Sequence, residues 1–365
     1  MNYNLIMRIF AIQTYKYMNV KYSIAVLFAT LTIKSIAQTD TASTLVVLSN
    51  QDAQIVYNKG ITNYLSGNKS AAIDDFSSAI KLDSTFHQAY YNRALLEMAG
   101  NENATALNDI NQAVSKNPQK GNYHVAQAVA LARNGEYAQA LESISQAQNS
   151  GYNSADLYYY KGMILMLAEQ YKEAENNYNT AIEKNSQYAA AYCDRGAARL
   201  KSGDYKAAID DYNTAIQIDP DKSYYYIFRS KAKAANKDTA GAFEDLNKAA
   251  EINSDNYYAV NERGYLYTCN RKYTKALADF DYCISQNPVK IDAYINKGLM
   301  YQKQNNLKSA LECFSKVVEL EPENPAGWYN CGNAYELLFD FDSACNNWTK
   351  AKSLGLNLNL GSECN

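Results

Sequence analysis

The sequence predicts an all-α protein built as a solenoid of antiparallel helix pairs, and three observations support this prediction. A block of 34 residues repeats nine times without insertion from Ala53 to Leu358. Small residues recur at fixed positions in every block, and all five prolines fall at block boundaries, outside the predicted helices. Repeats of this length are typical of solenoids, in which each unit buries its apolar face against its neighbours.

The segment ahead of the repeats has the order of a secretory signal. Residues 1–39 contain no Asp or Glu, and three basic residues precede an apolar run over 22–33 and the small-residue pattern Ser35-Ile36-Ala37. This order predicts a signal peptide over 1–37, with Met18 as an alternative start. The apolar run falls short of the ~20 residues that span a bilayer. An uncleaved signal is the alternative, and it would be the only membrane link that we expect. No cysteine lies near the junction, so we expect no lipid anchor.

The repeats follow a predicted linker over 38–52 and fill 53–358, leaving a C-terminal tail over 359–365. Within a block numbered 1–34, position 20 is Ala in all nine blocks, position 8 is Gly, Ala or Ser, and position 24 is large and mostly aromatic. Residues three and four apart share one helix face. Positions 4, 8 and 11 therefore mark one helix and positions 20, 24 and 27 a second, packed closely where the small residues lie.

This pattern resembles the tetratricopeptide repeat. Block five carries Gly196, Gly203-Asp204-Tyr205, Ala208 and Pro220 at the positions that this family favours. Blocks three and six depart from it, with Tyr152 where proline is expected and Lys237 and Thr239 where Gly and Tyr are usual. The resemblance implies a right-handed α-α superhelix, in which the first helices line a concave groove and the second helices form the convex back.

Charged pairs recur inside the blocks. Four blocks have Arg at position 7, and each of these has Asp at position 23; block one has Lys and Asp there. The pairs are Lys59 with Asp75, Arg93 with Asp109, Arg195 with Asp211, Arg229 with Asp245, and Arg263 with Asp279. We predict an ion pair between the two helices of each repeat, bidentate where Arg supplies it. Because the pair recurs at one internal position, we expect a structural role.

The seven cysteines show no CxxC spacing, which disfavours a zinc or redox motif. We predict that they are small apolar residues at helix-packing positions. The alternative is a disulfide that staples the C-terminal end, where four of the seven lie between 313 and 364. The stretch from Leu356 to Leu360 is predicted to fold back over the last helix as a cap.

The predicted binding surface is a stripe along the first helices. Its tyrosines offer contact area at low entropic cost, and its amides can pair with a peptide backbone. The candidate residues are Tyr57, Tyr64, Tyr91, Asn92, Tyr159, Met163, Tyr258, Tyr265, Asn296, Tyr329, Asn330 and Asn333. The alternative for any one of them is that it packs neighbouring repeats against each other. Basic and acidic residues are mixed along the stripe, so we do not predict a ligand with an acidic or carboxylate end.

The remaining composition argues against catalysis. The chain has two histidines, and its sequence contains no phosphate-binding glycine loop, nucleophile elbow or metal-binding histidine pair. A net charge of −3 disfavours nucleic acid. We therefore predict no enzyme activity, no cofactor and no metal. The predicted function is that of an exported, monomeric scaffold, periplasmic or extracellular, that binds a protein or extended peptide. The alternatives are an assembly chaperone for an exported client and a regulatory adaptor subunit of an envelope complex.

Overall fold

A computed structural model describes residues 51–252, 257–360 and 364 of the 365-residue chain. These residues form eighteen α-helices, and no β-strand occurs among them. Each 34-residue block contains two consecutive helices, so the predicted all-α fold of paired helices is confirmed. The predicted signal peptide lies outside the described residues, and the last two residues of the predicted linker belong to the first helix.

The chain divides into two compact units, 1–202 and 203–365. The described part of unit 1 contains nine helices. They are α1 (Gln51–Leu65), α2 (Lys69–Leu82), α3 (His87–Ala99), α4 (Asn103–Lys116), α5 (Gly121–Arg133), α6 (Tyr137–Asn149), α7 (Ala155–Leu167), α8 (Tyr171–Lys184) and α9 (Ala189–Lys201). Odd-numbered helices are the first helices of their repeats, and even-numbered helices are the second.

Unit 2 also contains nine helices in its described part. They are α10 (Tyr205–Ile218), α11 (Ser223–Ala235), α12 (Thr239–Ile252), α13 (Tyr257–Cys269), α14 (Tyr273–Gln286), α15 (Ile291–Lys303), α16 (Leu307–Leu320), α17 (Pro325–Leu337) and α18 (Phe341–Ser353). Repeat five therefore has its first helix at the end of unit 1 and its second at the start of unit 2.

The turn inside each repeat, between the first and the second helix, has one conformation in all nine copies. Position 15 lies in the left-handed region, with φ between 58° and 85°. Glycine enters this region without steric cost, and three turns use it, at Gly67, Gly135 and Gly203. At some turns an Asp or Asn at position 16 then caps the second helix, as where Asp204 accepts a hydrogen bond from the Ala207 N–H at 3.1 Å.

The two helices of a repeat meet at position 8, and the residue there is matched to position 24. The six blocks with glycine at position 8 have an aromatic residue at position 24, and the three with Ala or Ser have Ile or Leu. A Cβ built at Gly60 would lie 2.7 Å from Cε1 of Phe76, and one built at Gly264 would lie 2.6 Å from Cε1 of Phe280. The aromatic ring therefore occupies the space that a side chain at position 8 would need.

This matching predicts a rescue between two substitutions. We expect Gly264→Ala to destabilise the chain by about 1–3 kcal/mol through overpacking, even though alanine favours helix. Phe280→Ile removes the ring, so Gly264→Ala with Phe280→Ile should recover about 1 kcal/mol or more relative to the sum of the single changes. Urea unfolding of the four proteins measures this coupling. Additive single effects would contradict it.

Four of the five predicted ion pairs have both partners in one unit, and all four are present. Arg229 donates from Nε and Nη2 to the two carboxylate oxygens of Asp245, at 2.9 and 2.6 Å, and Arg93 with Asp109 and Arg263 with Asp279 are bidentate in the same way. Lys59 and Asp75 form the single contact expected of lysine, at 2.9 Å. The bond to Asp279 is the main reason that the pKa of Arg263 is raised.

The arginines also connect successive repeats, which the sequence analysis did not predict. Nη1 of each donates to a Ser or Asn at position 25 of the preceding repeat. The bonds are Arg93 to Ser77, Arg195 to Asn179, Arg229 to Asn213 and Arg263 to Asn247, at 2.7 to 2.9 Å. One side chain thus holds both the helix pair and the stacking of that pair on its neighbour.

The cysteines serve both of the roles that were considered. Cys345 in α18 and Cys364 in the tail form a disulfide, with their Cα atoms 5.1 Å apart. Cys193, Cys283, Cys313 and Cys331 are buried thiols outside the disulfide, and Cys269 is an exposed one. Between α18 and the disulfide, the leucines from 354 to 360 are half-buried and the residues between them are exposed. The tail is therefore covalently tied to the last helix.

Candidate functional site

The candidate surface consists of positions 2, 5, 6, 9, 12 and 13 of the first helices, here called the first-helix face. All twelve predicted binding residues lie on it, six in each unit. Seven are buried: Asn92, Tyr159, Met163, Tyr258, Asn296, Asn330 and Asn333. Five are half-buried: Tyr57, Tyr64, Tyr91, Tyr265 and Tyr329. Only the second group has side-chain surface to offer a partner without rearrangement of the fold.

In unit 1, Tyr57 and Asn92 bind each other across neighbouring repeats. Nδ2 of Asn92 on α3 donates to the Tyr57 hydroxyl on α1 at 2.7 Å. The Tyr57 ring also packs against Phe86 and Phe76, with centroid distances of 4.8 and 5.5 Å. Burial raises the pKa of Tyr57 to about 12, and the bond from Asn92 opposes that rise. These two residues therefore set how repeat two stacks on repeat one.

Tyr159 and Asp194 form a more deeply buried pair of the same kind. The hydroxyl of Tyr159 on α7 donates to Oδ2 of Asp194 on α9 at 2.9 Å. Burial raises the pKa of Asp194 to about 7, and the hydrogen bond from Tyr159 opposes that rise. The pKa of Tyr159 is raised well above 10, first by burial and then by the Asp194 charge. Tyr188 packs its ring against Tyr159 at 4.8 Å, so the carboxyl lies among aromatic side chains.

Tyr91 stacks on Tyr123 of the next first helix with ring centroids 4.5 Å apart. Met163 is 2% exposed within the core of unit 1. Tyr64 lies near the end of α1, half-buried against the small core around Phe76. Like Tyr57, both Tyr64 and Tyr91 stay half-buried, so each keeps some side-chain surface.

In unit 2, a charged cluster occupies the first-helix face between α11 and α13. Nζ of Lys231 lies 3.0 Å from Oε1 of Glu262 and donates to the Tyr258 hydroxyl at 2.9 Å. The Lys231 and Glu262 side chains are 8% and 12% exposed. Burial raises the pKa of Tyr258, with the Glu262 charge as the next contribution. The predicted residue Tyr258 thus belongs to an ion-pair network of the fold.

Amide side chains concentrate towards the end of unit 2. Oδ1 of Asn333 accepts a hydrogen bond from Nε1 of Trp348 on α18 at 3.0 Å. Asn330 and Asn261 are 0% and 1% exposed, and neither side-chain amide has a hydrogen-bond partner among the described residues. Asn296 is also buried. Of the predicted residues in this unit, Tyr265 and Tyr329 are half-buried, and burial raises the pKa of Tyr329.

The sequence analysis missed a regular connection between successive first helices. The Tyr57–Asn92 and Tyr159–Asp194 bonds each join position 5 of one repeat to position 6 of the next, 35 residues further on. Pairing polar residues at this spacing would have identified both bonds from the sequence. It would also have shown that Tyr57, Asn92 and Tyr159 connect successive repeats.

The two histidines have structural contacts. His124 is 7% exposed, and its Nε2 donates to the Pro118 carbonyl at 2.8 Å. His87 is hydrogen-bonded to Tyr123, and its pKa is lowered by burial and by Lys120. Among the described residues, no group of three or more His, Cys, Asp or Glu side chains is placed to hold a metal ion. No helix in the described ranges is both long and apolar enough to cross a membrane.

Comparison with known families decides the identity of the repeats. A family model described as tetratricopeptide repeat matches residues 189–222 and 291–324, and a second model with the same description matches 91–156. The first two ranges coincide with blocks five and eight from first to last residue. This is a tetratricopeptide repeat protein. Repeats of this family support protein or peptide binding. No curated protein matches the chain.

Solved structures of other tetratricopeptide repeat proteins share the fold. A tetratricopeptide repeat protein from Parabacteroides merdae is 20% identical with a TM-score of 0.55, over 66% of this chain and 94% of its own. PilW, a widely conserved type IV pilus biogenesis factor, is 16% identical with a TM-score of 0.53, over 55% and 94%. Human IFIT1, solved as a dimer with PPP-AAAA, is 13% identical with a TM-score of 0.56, over 84% and 73%.

Proposed function

We propose that this tetratricopeptide repeat protein is an exported scaffold that binds a protein or an extended peptide through its first-helix face. The observation that carries the proposal is the set of half-buried tyrosines on that face. Those among the predicted residues are Tyr57, Tyr64, Tyr91, Tyr265 and Tyr329. Their rings have few rotatable bonds and combine apolar area with a polar tip, which suits them to recognition of varied chain segments. The proposal includes no catalytic step.

The buried residues give this surface its rigidity. The Tyr57–Asn92 and Tyr159–Asp194 bonds and the Lys231–Glu262 pair fix successive first helices relative to each other within each unit. A surface held in place before binding loses less conformational entropy when a partner docks. The seven buried candidates therefore hold the first helices in place, and the half-buried tyrosines provide the contact with a partner.

Export is supported by two independent features. The order of basic, apolar and small residues over 1–37 is that of a signal peptide. The Cys345–Cys364 disulfide is a bond that persists in oxidising compartments and is rare in the cytosol. In this account the mature chain begins at Gln38 and works in the periplasm or outside the cell. N-terminal sequencing of the chain purified from its native host tests this start.

Affinity capture from a cell-envelope extract tests the binding proposal. We expect a dominant partner to be captured by the parent chain and lost with Tyr64→Ala and Tyr265→Ala combined. Tyr159 is unsuitable for this test because its replacement would leave the buried Asp194 without its hydrogen bond. Tyr282→Ala is the matched control, since Tyr282 is 43% exposed on the second helix α14.

The outcomes separate the scaffold from its alternatives. Loss with the first-helix variant and retention with Tyr282→Ala support a scaffold. Retention of the partner by both variants would place binding elsewhere and refute the proposal. Many weakly held partners that exchange rapidly would instead indicate a chaperone for exported clients.

A further inference from the structure

The turn inside repeat nine differs from the other eight turns of its kind. Its positions 14 and 15 are Leu338 and Phe339, whereas the other turns carry Ser, Gly, Asn, Ala or Gln and then Gly, Asn, Glu, Lys or Arg. Phe339 is 81% exposed, with Phe341 at 55% and Leu338 at 38%. The two phenylalanine rings lie side by side, with centroids 6.5 Å apart. We call residues 338–341 the apolar turn.

Phe339 is unfavourable here in two independent ways. Its φ is +63°, in the left-handed region that glycine enters freely and that side chains with a Cβ enter at a cost. Its ring is also the most exposed of the large apolar side chains in the described part of the chain. Packing within the described part of the chain leaves Phe339 81% exposed and offsets neither cost, and Gly203 shows that the same turn forms with glycine. A contact outside the chain would account for both.

The turns of repeats seven and eight lie next to the apolar turn. Tyr267 and Tyr301, near the ends of α13 and α15, pack on one core around Phe280. Tyr301 and Tyr335, near the ends of α15 and α17, pack on the next core around Phe314. The ends of these three first helices are therefore consecutive neighbours, and the turns that follow them form one edge of unit 2.

Two of these three turns are strongly basic. Five exposed basic side chains occupy them, and neither 269–275 nor 303–309 contains an acidic residue. The basic residues are Arg271, Lys272, Lys275, Lys303 and Lys308. The third turn carries Asp340, which caps α18 by accepting from the Ser343 N–H at 3.1 Å, and the exposed Asp342 and Glu336 flank it. Five basic residues against three acidic ones leave the edge net positive.

We propose that this edge docks on the surface of an anionic lipid bilayer. The apolar turn would enter the interfacial layer, where aromatic side chains are favoured. The basic residues of the two neighbouring turns would lie over the headgroups and be attracted by their negative charge. Apolar side chains at a loop tip beside a row of basic turns match the layered chemistry of a membrane surface. Docking by these turns does not use the half-buried tyrosines of the first-helix face, so this inference goes beyond the proposed function.

Vesicle cosedimentation of the full chain tests the proposal, with Leu338→Ser and Phe339→Gly combined as the key variant. Glycine is the residue that three other turns use at position 15, so this variant should fold at least as well as the parent, which urea unfolding verifies. On vesicles of phosphatidylglycerol and phosphatidylcholine we expect it to bind about tenfold more weakly than the parent. Because both proteins have the same N-terminal segment, the difference reports on the turn.

Two matched variants complete the experiment. Val289→Ser removes a side chain that is 64% exposed in the turn between α14 and α15, outside the basic edge, and it should bind like the parent. Lys272→Glu with Lys308→Glu should abolish the preference for phosphatidylglycerol over pure phosphatidylcholine vesicles. Equal binding of the parent and the apolar-turn variant would overturn the proposal. So would self-association of the parent that the apolar-turn variant lacks, with no vesicle binding, because a second copy would then cover the turn.

Discussion

Replacing Asp194 by Asn should stabilise the protein at neutral and alkaline pH and remove much of the pH dependence of unit 1. The Asp194 carboxyl is buried beside Tyr159 and Tyr188, and burial raises its pKa from 3.8 to about 7. The folded protein therefore keeps a proton that the unfolded chain releases near pH 3.8. Stability falls as pH rises through this window, by about 1.4 kcal/mol per pH unit and roughly 4 kcal/mol in all.

Asparagine has the shape of the neutral acid, and its Oδ1 can accept the same hydrogen bond from the Tyr159 hydroxyl. In urea unfolding at about pH 8, we expect Asp194→Asn to exceed the parent by a few kcal/mol, and near pH 4 the two should converge. Asp74→Asn, at an exposed position on α2, is the control and should follow the parent at both pH values. A parent chain that is more stable than Asp194→Asn at about pH 8 would contradict this account.

Replacing Asp245 by Ala should destabilise the protein by about 3–5 kcal/mol, because a buried ion pair that loses one partner leaves the other charge uncompensated. Asp245 is 3% exposed and holds two basic residues. Arg229 donates to both of its oxygens, and Nζ of Lys233 lies 3.0 Å from Oδ2. Loss of this carboxylate would weaken the packing of α11 on α12. It would also weaken the hydrogen bond from Arg229 to Asn213, which connects this repeat to the preceding one.

Glu244→Ala is the matched control for this change. Glu244 precedes Asp245 on the same helix and is exposed, so its loss should alter the free energy of unfolding by less than about 0.5 kcal/mol. Binding of a partner to the first-helix face should persist at temperatures where Asp245→Ala remains folded. Unfolding free energies that are equal for the two variants would show that the pair is unimportant.

The repeat pattern allowed the fold to be predicted from the sequence because each physical requirement is repeated in every block. Small residues at positions 8 and 20 predicted the close helix crossing, which Gly264 and Phe280 illustrate. The Arg and Asp at positions 7 and 23 predicted the ion pairs. A single block would not have been enough to predict the helix crossing or the ion pairs. Nine blocks in phase made both predictions specific.

The candidate site was predictable only in part. A helical stripe shows which residues share one face of a helix, but it does not show how far a neighbouring repeat buries each side chain. Tyr159 and Tyr265 both lie on the predicted stripe, yet one is 2% exposed and bonded to Asp194, and the other is half-buried. Tyr159 is covered because the next repeat supplies Asp194, 35 residues further on. Features shared by all blocks are easy to recognise in a repeat sequence. Phe339 was not singled out because it differs from the residues at this position in the other eight turns.

Hydrogen–deuterium exchange with the captured partner is the sharpest test of the first-helix face as the binding surface, because it reports on each helix without any substitution. We expect the partner to slow exchange in first helices, above all in α1 around Tyr64 and α13 around Tyr265, while second helices such as α14 keep their exchange rates. Protection confined to the second helices would contradict the claim that the first-helix face is the binding surface.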